Sequence, residues 1–388
     1  MTTSTVRSKF AAFAVKLETL PGQDAIGGTP ATGDWVLGEI EWDYDPQTIE
    51  NPEITGSLDR APGIVGGLRP RLRIRVPLRG SGGSMPPPDW GKLMQCCAYS
   101  ETLTPAPIGA PTAAVAGTQL SITAGAPFGT TPNQYRGMPL LASGDQTFTT
   151  AIIGYTGAKV IFLGEMRAVA PTTATLIQIP VHNLYAPTSD EAVYKTCTIY
   201  AYVDGYNWRF GGCVGTWSLE LTTGGIGMLT FEMRGQMLAK TGAALPTGWN
   251  TVIRPAAPRF VAGRAQLNYV LARCRSLTFN AGVGVTLPDN PEAIEGYDPA
   301  VPIERASGGS IDPLKDTVNG TQLYDNFRSG AGMSLFAVVG SMPGNRFIIT
   351  APNVRAQGMR HGQREGLMTD EIPFACSGVD SALYLAAF

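Results

Sequence analysis

The chain is poor in the residues that perform chemistry. Among 388 residues there are two histidines, His182 and His361, and 15% of the residues are charged. His182 lies beside Pro- and Asn-containing loop sequence. His361, in Arg360-His361-Gly362-Gln363-Arg364-Glu365, reads as a solvated turn residue before it reads as a base. Six cysteines (Cys96, Cys97, Cys197, Cys213, Cys274 and Cys376) are scattered among apolar neighbours. That spacing excludes a dense disulfide framework and a Cys/His zinc site, and it suits small buried hydrophobes in a reducing compartment. No apolar run approaches the roughly 20 residues of a membrane-spanning helix. The N-terminal apolar patch, 10–15, is interrupted by Lys9 and Lys16 and lacks a cleavage site, so it is read as mature chain. There is no Walker loop and no Gly-x-Ser-x-Gly, and Ala281-Gly282-Val283-Gly284 lacks the third glycine of a dinucleotide fingerprint. Neither a catalytic group, a metal nor a cofactor is expected.

A net charge of −2 gives no global attraction to nucleic acid or to acidic membranes. Glycine (47) and proline (30) are both abundant, and Val, Thr and aromatic residues fall in short runs between them. That texture predicts a mostly β protein.

The sharpest signal lies in residues 36–80. Glu39, Glu41, Asp43 and Asp45 alternate with Ile40, Trp42 and Tyr44, and Arg69, Arg71, Arg73, Arg75 and Arg79 alternate with Leu72, Ile74, Val76 and Leu78. Period two with one wet face means a half-buried strand. As neighbours in one sheet the two would form cross-strand ion pairs worth about 0.2–1 kcal/mol each. As exposed ladders of one sign they would be complementary surfaces between subunits, where charge gives register and discrimination. The crossing between them exceeds the length of a tight hairpin, and such loops are commonly functional.

In chain order, 1–34 reads as an N-terminal arm outside the core, with one short element expected at Lys9 to Leu17. Residues 35–104 open a first module. In it Asp89 is placed to cap a short helix with Trp90, Leu93, Met94 and Cys97 on one face, plugging an open side of the sheet. Residues 101–117 look like a linker, and 105–190 an inserted small β-barrel. Alternating strands return in 191–245 to complete the first module, and 241–263 is a further linker. From 246 to 388 the order of elements repeats: 276–283 echoes 38–45, and 292–309 echoes 53–67. Asn319-Gly320-Thr321 is read as a turn. The tryptophans fall one per element, as core residues do; the one cluster, Tyr200, Tyr202, Tyr206 and Trp208, could serve as a carbohydrate platform.

Several stretches together resemble the tail tube (major tail) proteins of long-tailed bacteriophages. They are Trp35 to Tyr44, Glu53-Ile54-Thr55-Gly56-Ser57-Leu58, Pro62-Gly63-Ile64-Val65-Gly66-Gly67 and the Leu72 to Leu78 strand before the Trp90 helix. Tyr135-Arg136-Gly137-Met138-Pro139-Leu140 and the closing Gln363-Arg364-Glu365-Gly366-Leu367 belong to the same likeness. The resemblance implies β-sandwich or half-barrel modules with a flanking helix, two per chain here because of the length. It implies rings that stack into the conduit for DNA ejection, in a virion tail assembled in the bacterial host cytoplasm. The partners implied are further copies of the chain, the tape measure protein, the tail terminator and the distal tail protein, with DNA passing non-specifically through the lumen and no membrane. Three chains with pseudo-sixfold symmetry are expected per ring, six being the alternative if 250–388 is an outer decoration. The candidate ring contacts are Glu39, Glu41, Asp43, Asp45, Arg69, Arg71, Arg73, Arg75 and Arg79, with Leu58, Ile64 and Val65 in the crossing loop. Each neutralised phosphate adds affinity, so the arginine face is expected away from the bore. A distal tail or baseplate hub protein, or a carbohydrate-binding sandwich, are the alternatives.

Overall fold

The computed structural model describes residues 11–54, 56–59, 61–82, 86–249, 254–261, 263–316 and 319–388; the first ten residues of the expected arm lie outside them. The protein is mostly β, with 50% strand and 6% helix. Two six-strand units run in the same order. In the first, Arg71–Pro77 buries Leu72, Ile74 and Val76 and exposes its arginines. Register keeps apolar opposite apolar, because a slip of one residue would turn every arginine into the core. Ile40 and Trp42 of Glu39–Asp43 therefore face Ile74 and Leu72, while Phe231 and Met233 of Met228–Gly242 face them from the other side. The sheet continues through Tyr206–Thr222, Cys197–Val203 and Ala11–Leu17.

The second unit runs Cys274–Asn280, Gly308–Pro313, Leu367–Cys376, Phe347–Ala356, Met333–Val339, Arg264–Leu267. In each unit the first two strands are joined by an excursion that forms its own two-stranded arm. The arms are Pro46–Ile49 with Ile64–Leu68 in one, and Val283–Thr286 with Val301–Arg305 in the other. In each, a helix follows: Gly91–Gln95, then Asn319–Ser329. The units are fused, since Ser218 to Thr222 pairs with Asn280 to Ser276, and residues of both lie in one hydrophobic core.

Ile108–Ala113, Thr175–Ile179, Pro139–Gly144, Phe148–Tyr155, Val160–Leu163, Ser121–Thr123 and Ala116–Gly117 form a separate sheet. Its two ends are covalently close. Between them Ala114 N–H bonds to Thr175 and Val115 N–H to Thr123, so the order closes on itself. This barrel rests on the second unit, where Ala151 and Leu141 pack with Phe336, Val338 and Ile348. Arg264 also reaches across, to the Glu165 carboxylate at 2.7 Å and the Thr149 carbonyl at 3.0 Å.

Four local expectations are corrected. Ala11–Leu17 is a core strand, with Phe13, Ala14 and Val15 buried, and not part of an arm. Its partner, Cys197–Val203, is distant in sequence, so nothing local announces the pairing. The expected linker at 101–117 contains three strands, most of Tyr99–Thr104 together with Ile108–Ala113 and Ala116–Gly117. Trp90, not Asp89, is the first-turn cap. Asp89 is instead a buried anion whose Oδ1 accepts the Trp90 N–H at 3.0 Å and whose Oδ2 pairs with Arg79 at 3.5 Å. Asn319-Gly320-Thr321 opens a helix, which a glycine at its second position had disguised as a turn.

Candidate assembly surface

The acidic and basic strands are neighbours. Glu39, Glu41 and Asp43 stand opposite Arg75, Arg73 and Arg71, and on the far side Arg73 meets Glu232 and Arg71 meets Arg234. Arg71 Nη2 lies 2.6 Å from Asp45 Oδ2, and Arg75 Nη1 lies 3.8 Å from Glu39 Oε2. These side chains are half exposed, so each pair contributes roughly 0.2–1 kcal/mol. The surface is polar without strong charge of either sign. It also crosses the seam between units, in a row running Glu39, Arg75, Thr230, Ser218, Asn280, Gly308. Above it, Val283, Gly284 and Val285 of the second arm wall a groove floored by Arg73, Thr216 and Glu232.

Two arginines of the sequence ladder leave it. Arg79 turns inward, its guanidinium on the Leu37 carbonyl at 2.6 Å and on Asp89. Arg69 lies over the Tyr297 ring, 4.1 Å from its centroid, and 3.8 Å from Asp289.

Both arms expose large apolar side chains. Ile54 is 98% exposed and Leu58 107%, with Ile49, Ile64 and Val65 also exposed on the same arm. On the other unit Ile294 and Ile303 are exposed in the same way. The candidates Leu58, Ile64 and Val65 thus share one projection, away from the charged strands. At its base the first arm is anchored: the Leu68 N–H donates to Glu295 Oε2 at 2.8 Å. Gly67 passes so near that a Cβ would collide with the Glu295 carbonyl oxygen. Several exposed large aliphatic residues on one projection mark a contact site in search of a partner.

A family model described as phage tail tube protein matches residues 11–375. The chain belongs to the phage tail tube protein family. No curated protein matches it significantly. It is accordingly a structural protein of the virion tail.

The residues that might have carried chemistry occupy structural places in this tail tube protein. His182 is fully buried on the strand His182–Pro187, not in a loop. Its Nδ1 donates to the Pro180 carbonyl at 2.8 Å, which leaves Nε2 to accept from Thr104 at 3.4 Å, and burial lowers its pKa. His361 lies on the strand Arg360–Arg364, 2.6 Å from the buried Asp370 carboxylate, and not in a turn. Burial raises the thiol pKa of Cys96, Cys97 and Cys213 well above the usual range, so these sulfurs stay protonated. The aromatic cluster divides. Tyr200 and Tyr202 are buried with Trp35, the Tyr200 hydroxyl bonded to Asp24, whereas Tyr206 lies tilted against Trp208 with centroids 5.6 Å apart and is exposed.

Sequence reasoning missed Ile294 and Ile303, which stand on the second arm as Leu58 and Ile64 do on the first. Their signal was available in the echo of 53–67 by 292–309. Glu232 and Arg234 were visible as the wet face of an alternating strand. Their strand partner was not.

Proposed function

We propose that the protein polymerises with copies of itself, three per ring with each chain supplying two tube modules, and that the rings stack into the conduit for phage DNA. The observation that carries this is the first arm. It is anchored at Gly67 and Leu68 and presents Leu58, Ile64 and Val65 to solvent, a surface that a neighbouring ring would cover. The repeated strand order supports two modules, and the shared sheet gives them one continuous polar face. That face suits the bore. Carboxylates of Glu41 and Glu232 flank Arg73, so phosphates meet little net positive charge and passing DNA is not held. This reading brings the arginine ladder to the lumen, contrary to the expectation from the basic strand alone, because the neighbouring strands change its charge. Assembly would take place in the host cytoplasm, with the tape measure protein inside the tube, and the tail terminator and distal tail protein at its ends.

A triple variant, Leu58→Ser, Ile64→Ser and Val65→Ser, tests it. The monomer should keep its circular dichroism and thermal midpoint, because these side chains touch water, while tubes seen by negative-stain electron microscopy should disappear. Tubes of wild-type length from the variant would overturn the stacking role of the arm. Cross-sections with six chains per ring would end the trimer.

A further inference from the structure

The seam inside the chain is a template for a seam between chains. Ser218 to Thr222 pairs antiparallel with Asn280 to Ser276, and Leu219 and Leu221 there face Phe279 and Leu277 in a closed core. Corresponding positions in the two units follow from their registers. Asp43 stands opposite Arg71 and Arg71 opposite Arg234, as Asn280 stands opposite Gly308 and Gly308 opposite Ala375. Stepping four residues back from Arg234 and from Ala375 gives Thr230, which faces Ser218, and Glu371, which faces Arg360. So Arg360–Arg364 in the second unit occupies the place of 218–222, and Glu39–Asp43 in the first occupies the place of 276–280. Among the described residues, Arg71–Pro77 is the one strand paired with Glu39–Asp43, and Leu367–Cys376 the one paired with Arg360–Arg364. Each therefore keeps an open edge, the kind of edge that accepts a strand from another chain.

We propose that these two edges join, Arg360–Arg364 of one copy pairing antiparallel with Glu39–Asp43 of the next. The inference rests on the ring assembly proposed above and specifies its lateral contact. In the register of the internal seam, Arg360 stands opposite Asp43 and Arg364 opposite Glu39, two pairs of opposite charge. Gly362 falls opposite Glu41 and leaves room for it. Arg364 is already held on the polar face by Asp312, at 3.0 Å. The core argument agrees with the charge argument. Ile40 and Trp42 are half-buried, whereas Leu277 and Phe279, their counterparts at the internal seam, are 0% exposed. A strand laid on the open edge covers the difference. Wrong pairing is penalised as well: the acidic edge set against 218–222 would place Glu41 opposite Glu220, like charges directly across a ladder. The contact joins two different edges, so it is heterologous and closes only as a ring.

The full-length chain with Asp43→Cys and Arg360→Cys tests the register, since directly opposed strand residues come within disulfide reach. Mild oxidation of assembled protein should give a covalent ladder that ends in a closed trimer on a non-reducing gel, with neither single variant doing so. In a second arm, Arg360→Glu with Arg364→Glu should abolish tubes, and adding Glu39→Arg with Asp43→Arg should restore them; the rescue separates a lost contact from a lost fold. Tubes that form from the cysteine variant without the crosslink, or from the charge-reversed chain without rescue, overturn this pairing and leave the tube reading standing. Wild-type protein that forms neither rings nor tubes overturns both.

Discussion

Leu277→Ala is the most direct probe of the fusion between the two units. Leu277 is 0% exposed and sits opposite Leu221 across the seam and Ile311 within its own unit. Truncation removes a side chain whose neighbours belong to both halves of the chain, so the cavity cannot collapse by moving one unit alone. The expected loss is about 2–5 kcal/mol, a factor of roughly 30 or more in the folding equilibrium at about 1.4 kcal/mol per decade. Ile40→Ala is the matched control, because Ile40 holds the same position in the first unit beside an open edge. Its side chain is half-buried in the monomer, and the loss there should be about 1 kcal/mol. Urea unfolding of dilute monomer followed by tryptophan fluorescence measures both, with Trp217 on the seam strand as a local reporter. Equal losses for the two variants, within about 0.5 kcal/mol, would refute the reasoning, since they would mean that the internal seam is no better packed than the free edge.

Two further outcomes follow from buried polar groups. Burial lowers the pKa of His182, so the folded protein binds its proton less readily than the unfolded chain does. The stability this contributes is fully present above the usual imidazole value of about 6.5 and is lost as pH falls through the lowered folded value; His182→Gln should flatten the slope of stability between about pH 7 and pH 5, measured by urea midpoints, and an unchanged slope would assign the titration elsewhere. Glu165 is buried and bridges Arg167 and Arg264, each at 2.7 Å, which ties the barrel to the second unit. Arg264→Ala should cost about 1.5–3 kcal/mol, at the lower end because Arg264 reaches water, and should speed limited proteolysis in the connections at 105–107 and 180–181; unchanged proteolysis would mean that the apolar contact alone holds the barrel.

What was legible in the sequence was local. Alternation exposed the strands of 39–43, 71–77 and 228–234, because each has one face on the core and one in water. Helical spacing placed Trp90, Leu93 and Met94 in the core, where all three are 0% exposed. The first arm was visible as an overlong crossing and the second as its echo, whereas Leu58, Ile64 and Val65 entered as candidates through the family resemblance. The parts that failed share a cause. Ala11–Leu17 is a strand because a distant edge receives it, and Tyr99–Thr104 because His182–Pro187 lies beside it.

The sequence by itself determined that the chain is mostly β and which side of each strand faces water, since these depend on composition and on a period of two residues. Which strand meets which is a matter of long-range pairing, and only the tertiary structure decided it. That choice turned two ladders of opposite sign into one nearly balanced polar face. It set Ser218 to Thr222 against the second unit, and among the described residues it left Glu39–Asp43 and Arg360–Arg364 each with one paired neighbour. Such edges are invisible in sequence because an edge is defined by the neighbour that is missing.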